Sequence, residues 1–582
     1  MLIDKINQPA DLKTLSANEL NNLAEEIRLG IINRTSKIGG HVGSNLGLVE
    51  CTIAMHFVFD SPKDKIVFDV SHQCYTHKIL TGRKDGFFDE DKYSTISGYT
   101  TTAESEHDHF CVGHTSTSIS LATGLCLGRD LLKENYNVIA VIGDGSLSGG
   151  EALEGLDFAG EYKNNLIIVA NDNQMSISDN HGGIYKNLKL LRETNGKAEQ
   201  NFFKDLGLEY KFVENGNDIS SLINAFLQVK DTTCPTVVHI CTQKGKGYLP
   251  AESDKERWHF HAPFNIETAE DSSQAPYGFV QYARDLLIER INSNDKITIL
   301  CAGTPGVIGF FAEYREKVEG RFIDVGIAEE HAVALASGMA KAGTKPIFCV
   351  QSSFLQRCYD QLLQDLCLNN NPAVIIVYSS GIYPMRDATH MGVFDIAYTS
   401  SIPNLTYLCP TNASEFKDCL DFAINQNSSP VMIRLPMTKF VQGDSAIDFT
   451  KKSYQIVNSG SEVAFIGLGN HFEITKKSAD LLLEKNGINA TLINALYADF
   501  VDEKTLDELV QNHRYFVVVE DGILQGGFSQ KVSAYLSKHG AKTLCYGYKK
   551  EFMDRFNLKE KLAENRISED LIIEDLLSII SK

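Results

Sequence analysis

Apolar runs of four to seven residues alternate with amphipathic stretches along the whole chain, a pattern that predicts α/β domains built on parallel strands. The runs Val138–Ile142, Leu166–Ala170, Thr236–Ile240, Ile297–Cys301, Pro346–Val350, Ala373–Val377, Glu462–Gly467 and Phe516–Val519 read as strands. No low-complexity tract or short-period repeat interrupts them. Two stretches read as linkers. One is the polar, acidic segment His261–Gln274, which precedes a helix-like stretch at Tyr277–Ile291. The other is Phe440–Lys452, after the short apolar segment Val431–Leu435. They divide the chain into 1–265, 275–440 and 455–582, one large and two smaller α/β domains.

A length of 582 residues also calls for more than one hydrophobic core. The 55 Lys and Arg against 75 Asp and Glu leave a formal charge of -20, which argues against a nucleic-acid or anionic-membrane partner. It leaves room for a local basic pocket. The first residues have neither the basic start nor the apolar core of a signal peptide, and no apolar run reaches the roughly 18–20 residues of a membrane span. A cytoplasmic protein is therefore expected. The 13 cysteines form no C-x-x-C motif and read as core thiols in a reducing compartment.

The sharpest local signal follows Val138–Ile142, which runs directly into Gly143-Asp144-Gly145-Ser146. A helix-compatible stretch, Gly150–Ala159, and the second run Leu166–Ala170 come next, and that run ends in Asn171-Asp172-Asn173. Strand, helix and strand over about thirty residues make one βαβ crossover. Asp144 and Asn173 thus share the C-terminal edge of a parallel sheet, where ligands bind in open α/β folds. A carboxylate and an amide carbonyl are hard oxygen donors of the kind magnesium takes when it shares a diphosphate. Gly145 lets backbone approach a phosphate, and the N-terminus of the following helix favours its charge. A lone Gly-Asp-Gly after a strand is only a turn; Asn173 one crossover later makes it a site.

This pair of motifs resembles the thiamine-diphosphate signature of the transketolase superfamily, and further segments are similar to its 1-deoxy-D-xylulose-5-phosphate synthase family. These are Gly39-Gly40-His41 with Ser44–Gly47, Phe68–Gln73 with His77–Arg83, Gly113–Ser118, Lys244–Tyr248 with Trp258-His259, Gly326–His331, Ser353–Arg357 and Thr389–Asp395. Asn494-Ala495, Val519-Glu520-Asp521 and Gly526-Gly527-Phe528 resemble the superfamily's C-terminal domain. The resemblance implies three parallel-sheet α/β domains of transketolase type: a diphosphate domain, a pyrimidine domain and a C-terminal domain.

By the same resemblance, magnesium falls to Asp144, Asn173 and the backbone carbonyl of Met175. Thiamine diphosphate falls to His72, Gly113, His114, Thr115, Gly145, Ser146, Asn173, Tyr248, Glu329 and Phe354. Glu329 activates the cofactor's aminopyrimidine, and Phe354 packs on that ring. His41, His259 and His390 position reactants and move protons, and Arg357 favours the donor carboxylate. The implied reaction joins pyruvate, with loss of carbon dioxide, to glyceraldehyde 3-phosphate. The implied assembly is a homodimer.

The departures from the family pattern cluster on the acceptor side. Ser379-Ser380 stand where the family has an arginine, Pro384–Asp387 replace Gly-Ala-Asp-Gly, Met437 replaces a second arginine, and Gln351 a tyrosine. Asn217 replaces a histidine, and the stretch between Asn180 and Leu206 is short. Met and Ser cannot replace bidentate arginines as phosphate ligands, whereas Arg386 restores one charge. The alternative expectation is a related carboligase or transketolase with a different acceptor aldehyde.

Overall fold

The computed structural model describes residues 1–273, 276–318, 320–445 and 447–581. Gln274, at the end of the expected linker, and the expected domain limits at 275 and 582 lie outside the described residues. The chain forms two compact units. The first is Met1–Ala275 with Gly303–Gly306 and Val325–Ala328; the second is Pro276–Ala302, Val307–Asp324 and Glu329–Lys582.

The first unit is built on β1 (Lys65–Phe68), β2 (Val138–Gly143), β3 (Ile167–Asp172), β4 (Glu209–Val213) and β5 (Thr236–Cys241). They are parallel and stand in the order β1-β2-β3-β5-β4. β2, β3 and β5 are buried nearly throughout, as expected for central strands covered on both faces, and hence read as continuous apolar runs. The helix Gly150–Glu161 connects β2 to β3, so the crossover predicted from the sequence is present. A short antiparallel ladder, not foreseen, pairs Gly40 with His261 and His41 with Phe260.

The second unit carries two sheets. β6 (Ile297–Cys301), β7 (Phe322–Asp324), β8 (Lys345–Gln351), β9 (Val374–Tyr378), β10 (Thr406–Leu408) and β11 (Val431–Arg434) are parallel in the order β10-β11-β9-β8-β6-β7. β12 (Gln455–Asn458), β13 (Glu462–Gly467), β14 (Thr491–Asn494), β15 (His513–Ile523) and β16 (Lys542–Tyr548) follow in the order β12-β14-β13-β15-β16. The expected parallel-sheet architecture holds here too, with one antiparallel strand at the sheet edge, β12, which runs against β14. An edge strand pairs on one side only, and it tolerates the polar sequence Gln-Ile-Val-Asn. The two sheets are joined where Cys409 N donates to Leu496 O (2.6 Å) and Ala498 N to Tyr407 O (2.9 Å).

The cysteines of the described residues are all free. Core packing does not hold for every one: Cys111 is exposed, because it lies in the loop ahead of Gly113 instead of in an apolar run. Among the described residues no helix is long and apolar enough to cross a membrane.

Candidate functional site

In the first unit, Asp144 follows β2 directly and Asn173 follows β3, so register brings both to one sheet edge. The Asp144 carboxylate is buried and accepts from Gly145 N (2.9 Å) and Asn180 Nδ2 (3.0 Å), both neutral donors. Burial, and then the neighbouring Asp172 carboxylate, push its pKa up. Burial acts the same way on Asp172, but His239 at 3.0 Å and Arg192 hold it below the usual range. Asn173 Oδ1 accepts from Met175 N (3.1 Å), which folds 173–175 into a tight turn. Gly145 has no room for a side chain: a Cβ there would lie 2.8 Å from Ser176 Cβ and Oγ.

Two adjacent buried carboxylates suit a cation. Asn180 Oδ1, buried with no hydrogen-bond partner, adds an unspent acceptor to the same place. Among the described residues no group of three or more His, Cys, Asp and Glu has metal-binding geometry. The expected donor set evades that pattern, since only one of its three oxygens is a carboxylate's. The residues present therefore fit a magnesium ion shared with a diphosphate.

The loop with Gly113, His114 and Thr115 is pinned beside this edge. Buried Asp69 accepts from Ser116 N (2.8 Å) and Ser118 N (2.9 Å), and Ser116 Oγ donates to Ser146 O (2.9 Å). Ser116, next to Thr115, thus ties this loop to Ser146.

Three sequence-distant loops converge on a histidine cluster. Asn45 Nδ2 donates to the carbonyls of His41 and His72, each at 2.8 Å. The Gly40–His41 ladder lays His41 against Phe260, next to His259. The ring centroids are 4.9 Å apart for His41 and His72, 5.6 Å for His41 and His259, and 5.1 Å for His72 and His259. Burial, followed by Lys244 and the two neighbouring rings, lowers the His259 pKa well below the ordinary histidine value. His259 is therefore neutral at pH 7, and its buried Nδ1 has no hydrogen-bond partner.

Tyr248 stands apart from this cluster. Its hydroxyl donates to Ile266 O (3.0 Å) and its ring packs on Trp258 (5.0 Å between centroids) and Phe264. Lys244, four residues earlier, is not singled out by the sequence. It is buried, its ammonium donates to Ser176 O (2.5 Å), and burial lowers its pKa to about 8. Its only mark in the sequence is its place in a glycine-rich turn after a strand.

In the second unit, the helix Glu329–Lys341 begins at Glu329, whose carboxylate is buried and accepts from Arg357 Nη1 (3.4 Å). Burial raises the Glu329 pKa above the usual glutamate range, and Arg357 works against that rise. The Phe354 ring lies 5.5 Å from that of His390, nearly edge-on. His390 Nδ1 sits 3.1 Å from Asp387 Oδ1 and 2.8 Å from Thr389 Oγ1. Burial opposes ionisation of Asp387, but His390 and Thr389 hold its pKa below the usual range. Arg386 is exposed on the same loop.

The pyrimidine-binding domain of transketolases matches residues 284–440 and the transketolase C-terminal domain matches 453–551. With the fold, these define a transketolase-type transferase of the thiamine-diphosphate class. The 1-deoxy-D-xylulose-5-phosphate synthase family profile matches residues 3–200. A 1-deoxy-D-xylulose-5-phosphate synthase of Clostridium beijerinckii is 39% identical over 602 residues, covering 96% of this chain and 96% of its own. That of Clostridium acetobutylicum is 38% identical with the same coverage, and that of Carboxydothermus hydrogenoformans is 37% identical over 100% of this chain and 99% of its own. The chain belongs to the 1-deoxy-D-xylulose-5-phosphate synthase family.

Proposed function

We infer that the protein condenses pyruvate with glyceraldehyde 3-phosphate, releasing carbon dioxide and forming 1-deoxy-D-xylulose 5-phosphate. Identity above 35% to synthases of that name, over nearly the full length, carries this reading and does not favour the alternative acceptor. When bound, thiamine diphosphate supplies the carbanion-stabilising ring on which pyruvate loses carbon dioxide.

The chain's own groups then have distinct tasks. Asp144, Asn173 and the Met175 carbonyl would hold magnesium and Gly145, Ser146, Gly113, His114 and Thr115 the diphosphate. Buried Lys244 lends that region positive charge. Glu329 would hold a proton on the cofactor's aminopyrimidine, and Phe354 would support that ring. His41, His72 and His259 form a half-buried set of rings whose nitrogens accept and donate hydrogen bonds, His259 in its neutral form. On the other unit His390, backed by Asp387, orients reactants, and Arg357 balances Glu329 and attracts the donor carboxylate. Tyr248 supports the loop from behind.

The three sheets support a division into domains at 1–265, 275–440 and 455–582. A homodimer is supported by an apolar surface on two helices that pack together, Ser118–Leu132 and Gly150–Glu161. There Leu131 is 83% exposed, Leu132 70% and Phe158 52%. The free cysteines of the described residues suit a reducing, cytoplasmic location. Mass spectrometry of the product from pyruvate and glyceraldehyde 3-phosphate tests the reading. A five-carbon deoxyketose phosphate supports it, and product formed only from other aldehydes sinks it.

A further inference from the structure

The loop between β9 and the helix Asp395–Thr399 carries His390, and its base is held by Arg434 at the end of β11 and by Asp521 of β15. Gly381 N donates to Gly392 O (2.6 Å), closing the loop at its neck. Arg434 Nη2 also reaches Gly392 O (3.1 Å), while its other contacts bind the buried carboxylates of Asp395 and Asp521. Asp521 fills the space a side chain on Gly381 would need: a Cβ there, at φ +83°, would lie 2.1 Å from Asp521 Oδ2.

From Asp521 a second chain returns to the loop through His471. Burial lowers the His471 pKa, so the fully buried ring is neutral and has one N–H. Tyr548 has a single hydroxyl proton, which Asp521 Oδ1 takes at 3.1 Å. The Tyr548 oxygen must then accept from His471 Nε2–H at 2.7 Å. That tautomer leaves Nδ1 as an acceptor, and the loop's Tyr383 hydroxyl donates to it at 3.2 Å. The path from Tyr383 through His471 and Tyr548 is thus a directed chain of hydrogen bonds that ends on the Asp521 carboxylate, to which Arg434 donates from the other side. It starts in the loop and, through Asp521, meets the guanidinium that holds the loop's neck.

We propose that His471 is a positioning residue for the reaction: it ties Tyr383 to the buried Asp521–Arg434 pair and so sets the pose of the loop that presents His390. This rests on the reading of His390 as a group that meets substrate. Removing a fully buried histidine endangers the fold, so the test removes only the terminal hydroxyl, as Tyr383→Phe in the full-length protein. Amide hydrogen exchange in peptides spanning 381–394 is expected to speed up about fivefold, the loss of roughly one hydrogen bond, with the rest of the chain unchanged. Unchanged exchange there overturns the proposal.

The same substitution is expected to lower kcat/KM about fivefold alone and to have no further effect in a His390→Ala background. Equal losses in both backgrounds would mean a general structural role and overturn it. Should the protein fail to condense its substrates at all, the functional reading falls, and the exchange measurement still decides the positioning claim.

Discussion

Arg357 Nη1 lies 3.4 Å from Glu329 Oε2, and Arg357 is the main charge that opposes the effect of burial on this carboxyl. Removing the guanidinium therefore raises the Glu329 pKa further. In Arg357→Met the acidic limb of kcat/KM against pH is expected to move to higher pH, with Arg357→Lys falling between. Glu329→Gln keeps the shape but loses the carboxylate; kcat falls on the order of a thousandfold while circular dichroism and the thermal midpoint stay near wild type. A near-normal rate in Glu329→Gln removes this residue from the chemistry.

Asp144 carries the clearest metal prediction. Asp144→Asn retains a neutral partner for Asn180 but loses the anionic ligand and the repulsion from Asp172. Calorimetry is expected to show magnesium-dependent binding of thiamine diphosphate to wild type, and on the order of a hundredfold weaker binding to the variant. The metal-free variant should also unfold at a higher temperature than wild type. Unaltered cofactor binding would place the metal elsewhere.

Acid sensitivity follows from a buried cluster away from these candidates. His77 lies 2.9 Å from Asp108, whose carboxylate also accepts two Arg83 contacts. Burial lowers the His77 pKa from 6.5 to about 4. As pH falls from 6.5 to 4 the unfolded chain takes a proton that the folded protein refuses, so stability falls. About 2 kcal/mol is lost by pH 5 on this account. Asp108, held low by His77 and Arg83 against its burial, adds a further loss only below its unfolded value of 3.8. Urea midpoints at pH 7 and pH 5 read this directly, and equal midpoints contradict it.

The apolar surface on Ser118–Leu132 makes a prediction about assembly. Leu131→Glu combined with Leu132→Glu, both at largely exposed positions, is expected to leave the protomer folded and shift light scattering from dimer to monomer. A dimer that persists unchanged places the interface on other residues.

Much of the fold was legible because its central strands are buried on both faces and so appear as unbroken apolar runs. Ile297–Cys301 and Glu462–Gly467 match β6 and β13 at both ends. Strands that are short, mixed or at edges left no such mark: Lys65–Phe68, Glu209–Val213, Thr406–Leu408 and Gln455–Asn458 mix polar with apolar residues over a few positions. The shared sheet edge of Asp144 and Asn173 was legible because one crossover fixes where both emerge. The convergence of His41, His72 and His259 was not, since it depends on a two-residue ladder and on Asn45 bridging distant loops. The buried state of Lys244 and the chain through His471 depend on long-range packing, which periodicity does not encode.

The central claim is most directly tested by the release of carbon dioxide from pyruvate radiolabelled at its carboxyl carbon. Purified protein, thiamine diphosphate and magnesium are assayed with and without glyceraldehyde 3-phosphate. Release that depends on both cofactors and rises strongly with the phosphorylated aldehyde is the predicted result, with Arg386 supplying charge that Ser379 and Met437 do not. Release indifferent to glyceraldehyde 3-phosphate, or no release at all, would contradict the account.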